Sequence, residues 1–253
     1  MSTLYTIGHS TRTLDELVAA LKAHGVGTLV DIRAFPMSRR MPHFNRESLE
    51  AELPKRGIRY VWMKELGGHR KKILDESPNP GLRNDSFRNY ADYMLTPEFE
   101  QAIERLLEIA AETADPSTPA AKSGLPPVGM TSSEGSLPTL SPTTGEEDGA
   151  PGTTGLSTPL NATIPEGSAP TFSPTTGEED GAPGTPKGTN TAYMCAERVY
   201  FQCHRMLVSD YLTAHGHTVL HIDDDKRVLR VHKLMAEAHL VDGRLLYNAQ
   251  QLF

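Results

Sequence analysis

The sequence predicts an α/β fold, a single doubly wound and mainly parallel sheet flanked by helices. Three observations carry this. Short apolar runs of strand length alternate with stretches of helical periodicity. Three of those runs end in polar signatures: Leu4–Ile7 leads into Gly8-His9-Ser10, Thr28–Ile32 contains Asp31 and leads into Arg33, and Ala192–Met194 leads into Cys195-Ala196-Glu197. Reactive or ligand-binding side chains just past strand ends are what an open parallel sheet offers at its binding edge.

The elements follow in order. Leu4–Ile7 is the first strand. Thr13-Leu14-Asp15-Glu16 is a capping box, and Leu14, Leu17, Val18 and Leu21 continue it at helical spacing until His24-Gly25. Thr28–Ile32 is the second strand. Arg46–Arg56 reads as a helix stopped at Gly57, and Ile58–Trp62 as a short strand. Ser86–Met94 reads as a helix. Thr96-Pro97 starts another, with Phe99, Ile103, Leu106, Leu107 and Ala110 on one face. Strand Ala192–Cys195, a helix carrying Leu207, Val208, Tyr211 and Leu212, and strand Thr218–Ile222 close the pattern.

The pattern is interrupted. Residues 113–190 are mostly Thr, Pro, Gly, Ser, Ala and Glu, with Phe172 as the only aromatic. Such a segment cannot bury enough apolar surface to offset its ordering entropy, so it is expected to be a disordered, acidic insert. Pro138–Thr153 recurs as Pro170–Thr185 with Phe172 in place of Leu140, a duplication without the apolar pattern that stacks solenoid repeats. The flanks, 1–112 and 191–253, are then one discontinuous α/β domain of about 175 residues, enough for a sizeable core. The insert has nine acidic residues against two lysines, which matches the whole formal charge of −7. The folded part is close to neutral, so net charge does not point to a partner. No basic start with an apolar run and cleavage site is present, and no stretch reaches transmembrane length; a cytoplasmic protein without membrane contact is the expectation. The two cysteines are then expected as thiols.

Several residues could carry chemistry. His9 and Ser10 follow a glycine that permits a tight turn; His9 reads as base, acid or ligand, or as a turn histidine bonded to backbone. Asp31 and Arg33 share one face of a strand end, as an orienting carboxylate beside an anion-binding guanidinium or as a structural ion pair. The loop Pro36–Pro42 presents Ser38, Arg39 and Arg40, and Gly67-Gly68 offers backbone N–H groups; together with the basic stretch 33–72 these suggest an anionic ligand. Cys195, Cys203, His204 and Arg205 form the sharpest group. Cys203 is expected at a helix N-terminus, where the dipole and Arg205 would lower its thiol pKa. The alternatives are two structural thiols, or a Cys/His metal site that includes His9; the spacing is not that of a zinc ribbon.

The order Thr-Ile-Gly-His-Ser, Asp-Ile-Arg with Pro-x-Ser-Arg-Arg, Leu-Gly-Gly, Tyr90-Ala91-x-Tyr93-Met94, and Cys-Ala-Glu with Cys-His-Arg resembles the domain of unknown function family 488. The resemblance spans about 4–112 and 191–253, including Tyr247 and Leu252-Phe253. It implies a small cytoplasmic α/β protein with a site at His9, Ser10, Asp31, Arg33, Ser38, Arg39, Cys195, Glu197, Cys203, His204 and Arg205, and no established activity. Two departures stand out: the insert, and Arg198-Val199-Tyr200-Phe201-Gln202 where relatives carry a short polar, proline-containing connection. The leading expectation is a domain that binds or processes a phosphate-bearing small molecule such as a nucleotide. Arg33, Arg39 and Arg205 would hold the anion; Ser10, Ser38, Glu197 and His204 would add contacts. His9, Cys203 and Asp31 would do any chemistry. The alternatives are a nucleic-acid-binding module that stacks bases on Phe35, Phe44 or Trp62, and a redox or metal-binding protein. No cofactor and no oligomeric state is specified.

Overall fold

A computed structural model describes residues 1–115, 188–223 and 229–248. Most of the expected insert and Leu252-Phe253 lie outside the described residues. Six strands form one sheet: β1 (Thr3–Gly8), β2 (Val26–Asp31), β3 (Arg59–Trp62), β4 (Asn190–Cys195), β5 (Thr218–Ile222) and β6 (Leu229–Val231). Their order is β3-β2-β4-β1-β5-β6, with all pairs parallel except the β5–β6 edge. The helices are α1 (Leu14–Ala23), α2 (Arg46–Glu52), α3 (Asp85–Tyr93), α4 (Pro97–Ala114) and α5 (Arg205–Ala214). The doubly wound, mainly parallel α/β sheet expected from the sequence is observed.

Local chemistry explains the boundaries. Thr13 and Glu16 close the capping box at α1. The helix expected over 46–56 stops at Glu52, because Pro54 has no N–H to continue the ladder; a tight turn over Pro54–Arg56 follows, and Gly57 takes the left-handed conformation at φ 74°. Asn84 caps α3 through its side chain, so that helix starts one residue earlier than expected. A hairpin missed by the sequence reading joins β7 (Ala238–Val241) to β8 (Arg244–Tyr247). Its turn is Asp242-Gly243, both with positive φ, a strong two-residue hairpin signal.

The pleat splits the core into two layers. Leu4, Val30, Ile32 and Tyr193 pack with α3, α4 and α5. Ile7, Leu29, Ala192 and Met194 pack with α1 and α2. β1 leads left in the sheet to β2 and β4 leads right to β5, so the chain leaves these neighbouring strands in opposite directions. Their C-terminal ends form the crevice where α/β sheets bind ligands.

The helix before the insert runs further than expected. α4 continues through Thr113 to Ala114, because buried Thr113 donates to the Thr28 hydroxyl or the Ile109 carbonyl. On the other side, β4 opens at Asn190 paired with Val26. Both flanks of residues 116–187 therefore meet the start of β2. Replacing 118–186 with a short Gly/Ser bridge is expected to keep thermal unfolding cooperative, with stability unchanged or raised by up to about 2 kcal/mol. Loss of the cooperative transition would make the segment part of the core.

Candidate functional site

The C-terminal edge carries two clusters, one on each face. On the α1/α2 face, Asp31, Arg33, His9 and Tyr60 form a closed network. The Arg33 Nε donates to both Asp31 oxygens at 2.9 and 3.0 Å, and one Nη donates to Asp31 at 2.5 Å and to the Phe44 carbonyl at 2.7 Å. The other Nη donates to His9 Nε2 at 3.1 Å. Tyr60 donates its hydroxyl proton to Asp31 at 2.8 Å. His9 Nδ1 is 3.0 Å from the Ser10 carbonyl, so Nδ1 carries the proton and Nε2 accepts from Arg33. Burial, then the Arg33 charge, pushes His9 down to about 4. It is neutral at pH 7 with both nitrogens engaged. His9 and Arg33 thus make the contacts of a bonded turn histidine and of a buried ion pair.

On the α5 face sit Cys195, Cys203, His204 and Arg205. Gly8 lies opposite Cys195 in the sheet, and a Cβ there would fall 1.8 Å from the Glu197 carbonyl oxygen. Only glycine lets the two loops approach this closely. The His9 and Ser10 amides then donate to the Cys195 and Ala196 carbonyls, and Ser10 takes a positive φ of 49°. Across the crevice, a Cβ on Gly68 would meet His204 Nδ1 at 2.3 Å, and one on Gly67 would meet the Ala34 backbone. The loops after β2 and β3 thus close down beside the thiols.

His204 Nε2 donates to the Ile32 carbonyl at 3.0 Å, which leaves the Nδ1 lone pair facing Cys195 Sγ at 3.9 Å. Burial lowers His204, so it is neutral. The thiols differ. A hydrogen bond from Cys203 lowers Cys195 against the effect of burial; the Glu197 amide, the Arg205 charge and the Ala196 amide add to it, and the result is about 7. Cys203 goes the other way, pushed up by its hydrogen bond to Cys195, by burial and by the Cys195 charge. The depressed thiol expected at Cys203 is therefore found at Cys195. Cys203 precedes the helix start, and its thiol faces the Tyr200 carbonyl at 3.6 Å.

Arg205, 1% exposed, is an internal tether. It donates to Cys203 Sγ at 3.4 Å, to Thr6 Oγ1 at 3.1 Å, and to the Glu197 and Arg198 carbonyls at 2.6 and 3.1 Å. Its three guanidinium nitrogens are all engaged inside the fold. Glu197 is exposed on the loop that Arg205 ties down. Ser38 accepts from the Met41 amide and turns the loop in which Arg39 and Arg40 are exposed. Of the three aromatics expected to stack bases, Phe44 is fully buried and Trp62 lies under Arg46 at 4.4 Å; Phe35 is 70% exposed.

One ligand atom each from Cys195, Cys203 and His204 lies within 4.8 Å of the others, close enough to share one metal ion. The donor set suits zinc or copper(I). The Arg205 guanidinium against Cys203 Sγ works against it, since a fixed cation occupies the sulfur. His9, on the other face, is not part of the group. Among the described residues no helix is long and apolar enough to cross a membrane. Neither a curated protein nor a solved structure matches the chain. The family model described as Domain of unknown function DUF488 matches residues 13–115, the segment that holds Asp31, Arg33, Ser38 and Arg39, so this segment is similar to the family that the motifs resemble.

Proposed function

We propose that this protein is a thiol-dependent enzyme or ligand-binding domain for small anionic molecules, such as phosphate-bearing ones, with Cys195 as the nucleophile. One observation carries the reading: Cys195, its partner thiol Cys203 and the Nδ1 lone pair of His204 meet at the C-terminal edge of a parallel sheet, where its strands diverge. The neighbouring Cys203 thiol, the Glu197 and Ala196 amides and the Arg205 charge favour the Cys195 thiolate. When Cys195 is protonated, its S–H faces the His204 Nδ1 lone pair at 3.9 Å. Exposed Arg39 and Arg40 supply the positive rim for the substrate anion. A nucleic-acid surface is less well supported, because two of its three aromatic platforms are engaged inside the fold. Residues 1–115 and 188–253 would act as one domain that carries the site.

The test is the pH profile of iodoacetamide labelling, read at each cysteine by mass spectrometry. Cys195 is expected to label with a midpoint near 7, well below the free-thiol value of about 8.5, and Cys203 to lag behind it. Inorganic phosphate should slow Cys195 labelling, and Arg39→Ala should weaken that protection. If both cysteines label only above about pH 8.5, the thiols are structural. One equivalent of bound metal in the purified protein would replace the nucleophile with a metal centre.

A further inference from the structure

A second concavity lies beside β5, and it contains no thiol. Its volume is about 270 Å³, and its walls are Arg198, Val199, Tyr200, Phe201, Asp223 and Arg230. Drug-sized ligands occupy about 300–1,000 Å³, so this groove suits a single ring with a small substituent.

The groove has a rigid wall. The Tyr200 ring stacks on His221 with centroids 3.6 Å apart and planes 11° from parallel. His221 is held from behind. The Asp210 carboxylate accepts from His232 Nε2 at 2.8 Å, from the Tyr247 hydroxyl at 3.1 Å and from the Met235 amide at 3.1 Å. With Nε2 as the donor, His232 Nδ1 accepts from His221 Nε2 at 2.9 Å. His221 Nδ1 is then a lone-pair acceptor, and it is buried without a partner among the described residues. This chain of four buried side chains fixes Tyr200 in place before anything binds. A buried, fully bonded polar network with one unsatisfied end is a feature that packing alone does not require.

The groove's surface is aromatic and cationic. Phe201 is 52% exposed, an unusual position for a phenyl ring, and its ring stands edge-on to Tyr200 at 5.5 Å. Arg230 uses its Nε on Asp223 at 3.0 Å, and Arg198 is exposed. Among the described residues that line it, two guanidiniums stand against one carboxylate, beside two rings. We propose that the groove binds a small planar anion, an aromatic ring that carries a phosphate or carboxylate. The ring stacks on Phe201 and Tyr200, and the anionic group pairs with Arg198 and Arg230. This site is independent of the Cys195 reading.

Calorimetric titration of the full chain with uridine 5′-monophosphate, benzoate and inorganic phosphate tests it. Saturable binding is expected for at least one of the two ring-bearing anions, separate from any anion contact near Cys195. Phosphate alone should bind at least about tenfold more weakly, because it lacks the ring. Phe201→Ala and Arg230→Gln should each weaken ring-anion binding about tenfold, and both positions are exposed enough to leave folding intact. Cys195→Ser should leave it unchanged. No saturable binding of either ring-bearing anion, equal binding of phosphate alone, indifference to both groove variants, or loss of binding in Cys195→Ser would each overturn the proposal. The last outcome would place the ligand at the thiols instead.

Discussion

Replacing Arg33 with methionine is expected to destabilise the fold by about 3–5 kcal/mol, the cost of breaking a buried ion pair from one side. Asp31 is fully buried, and Arg33 is 6% exposed. Removing the guanidinium leaves a carboxylate with only the Tyr60 hydroxyl and the Arg33 backbone amide as donors. It also strips the Phe44 carbonyl and His9 Nε2 of their partner. Burial alone would favour loss of the Arg33 charge; the hydrogen bonds and charge of Asp31 hold it in place. Arg33→Lys should recover little, because one ammonium cannot reach the carboxylate, the carbonyl and the imidazole together. The double variant Asp31→Asn/Arg33→Met should recover part of the loss, since it removes the unpaired charge. Urea unfolding of the three variants measures this. A loss under about 1 kcal/mol for Arg33→Met would mean that water reaches the pair.

What the sequence made legible depended on how local each signal was. The α1 capping box lies within four residues, and Gly57 and Pro54 act through their own backbone. Strands β1, β2, β4 and β5 read clearly because a buried parallel strand is apolar on both faces. The β7–β8 hairpin had its signal in Asp242-Gly243, but the flanking strands are only four residues each, too short to show a pattern. In the site, the Asp31–Arg33 pairing was visible from alternation along one strand. The surroundings of the pair were not visible, because Phe44 and His9, which take up the remaining donors, come from other segments. The order of the two thiols was hidden for the same reason. It depends first on how the two thiols face each other and then on which sulfur receives the Glu197 and Ala196 amides, a matter of loop geometry rather than spacing. The Asp210–His232–His221 chain joins α5, the segment after β6, and β5, and nothing in any one of them announces it.

Arg205→Met should have a comparably large effect, and a second one at a distance. The guanidinium is buried and links four groups: Thr6 on β1, Cys203, and the Glu197 and Arg198 carbonyls. Hydrogen bonds from a charged donor contribute about 1.5–3 kcal/mol each when buried. The bonds to the Glu197 and Arg198 carbonyls are only partly buried, whereas those to Thr6 and Cys203 are buried. A loss of about 3 kcal/mol is therefore expected, less than the four bonds would sum to. The loop that Arg205 ties down also carries the amides that stabilise the Cys195 thiolate, and the guanidinium charge itself favours that thiolate. Removing a positive charge raises a thiol pKa, so the Cys195 labelling midpoint should move up from about 7 in Arg205→Met. A purely structural tether would lower the melting temperature without moving that midpoint under conditions where the variant is folded. Arg205→Lys separates the two roles: the charge remains, but one ammonium cannot span Thr6 and the loop carbonyls. It should keep the labelling midpoint closer to that of the parent while losing most of the stability. A variant that loses neither stability nor the low midpoint would show that the loop and the thiolate are held without Arg205, and the electrostatic account of Cys195 would then rest on the backbone amides and Cys203.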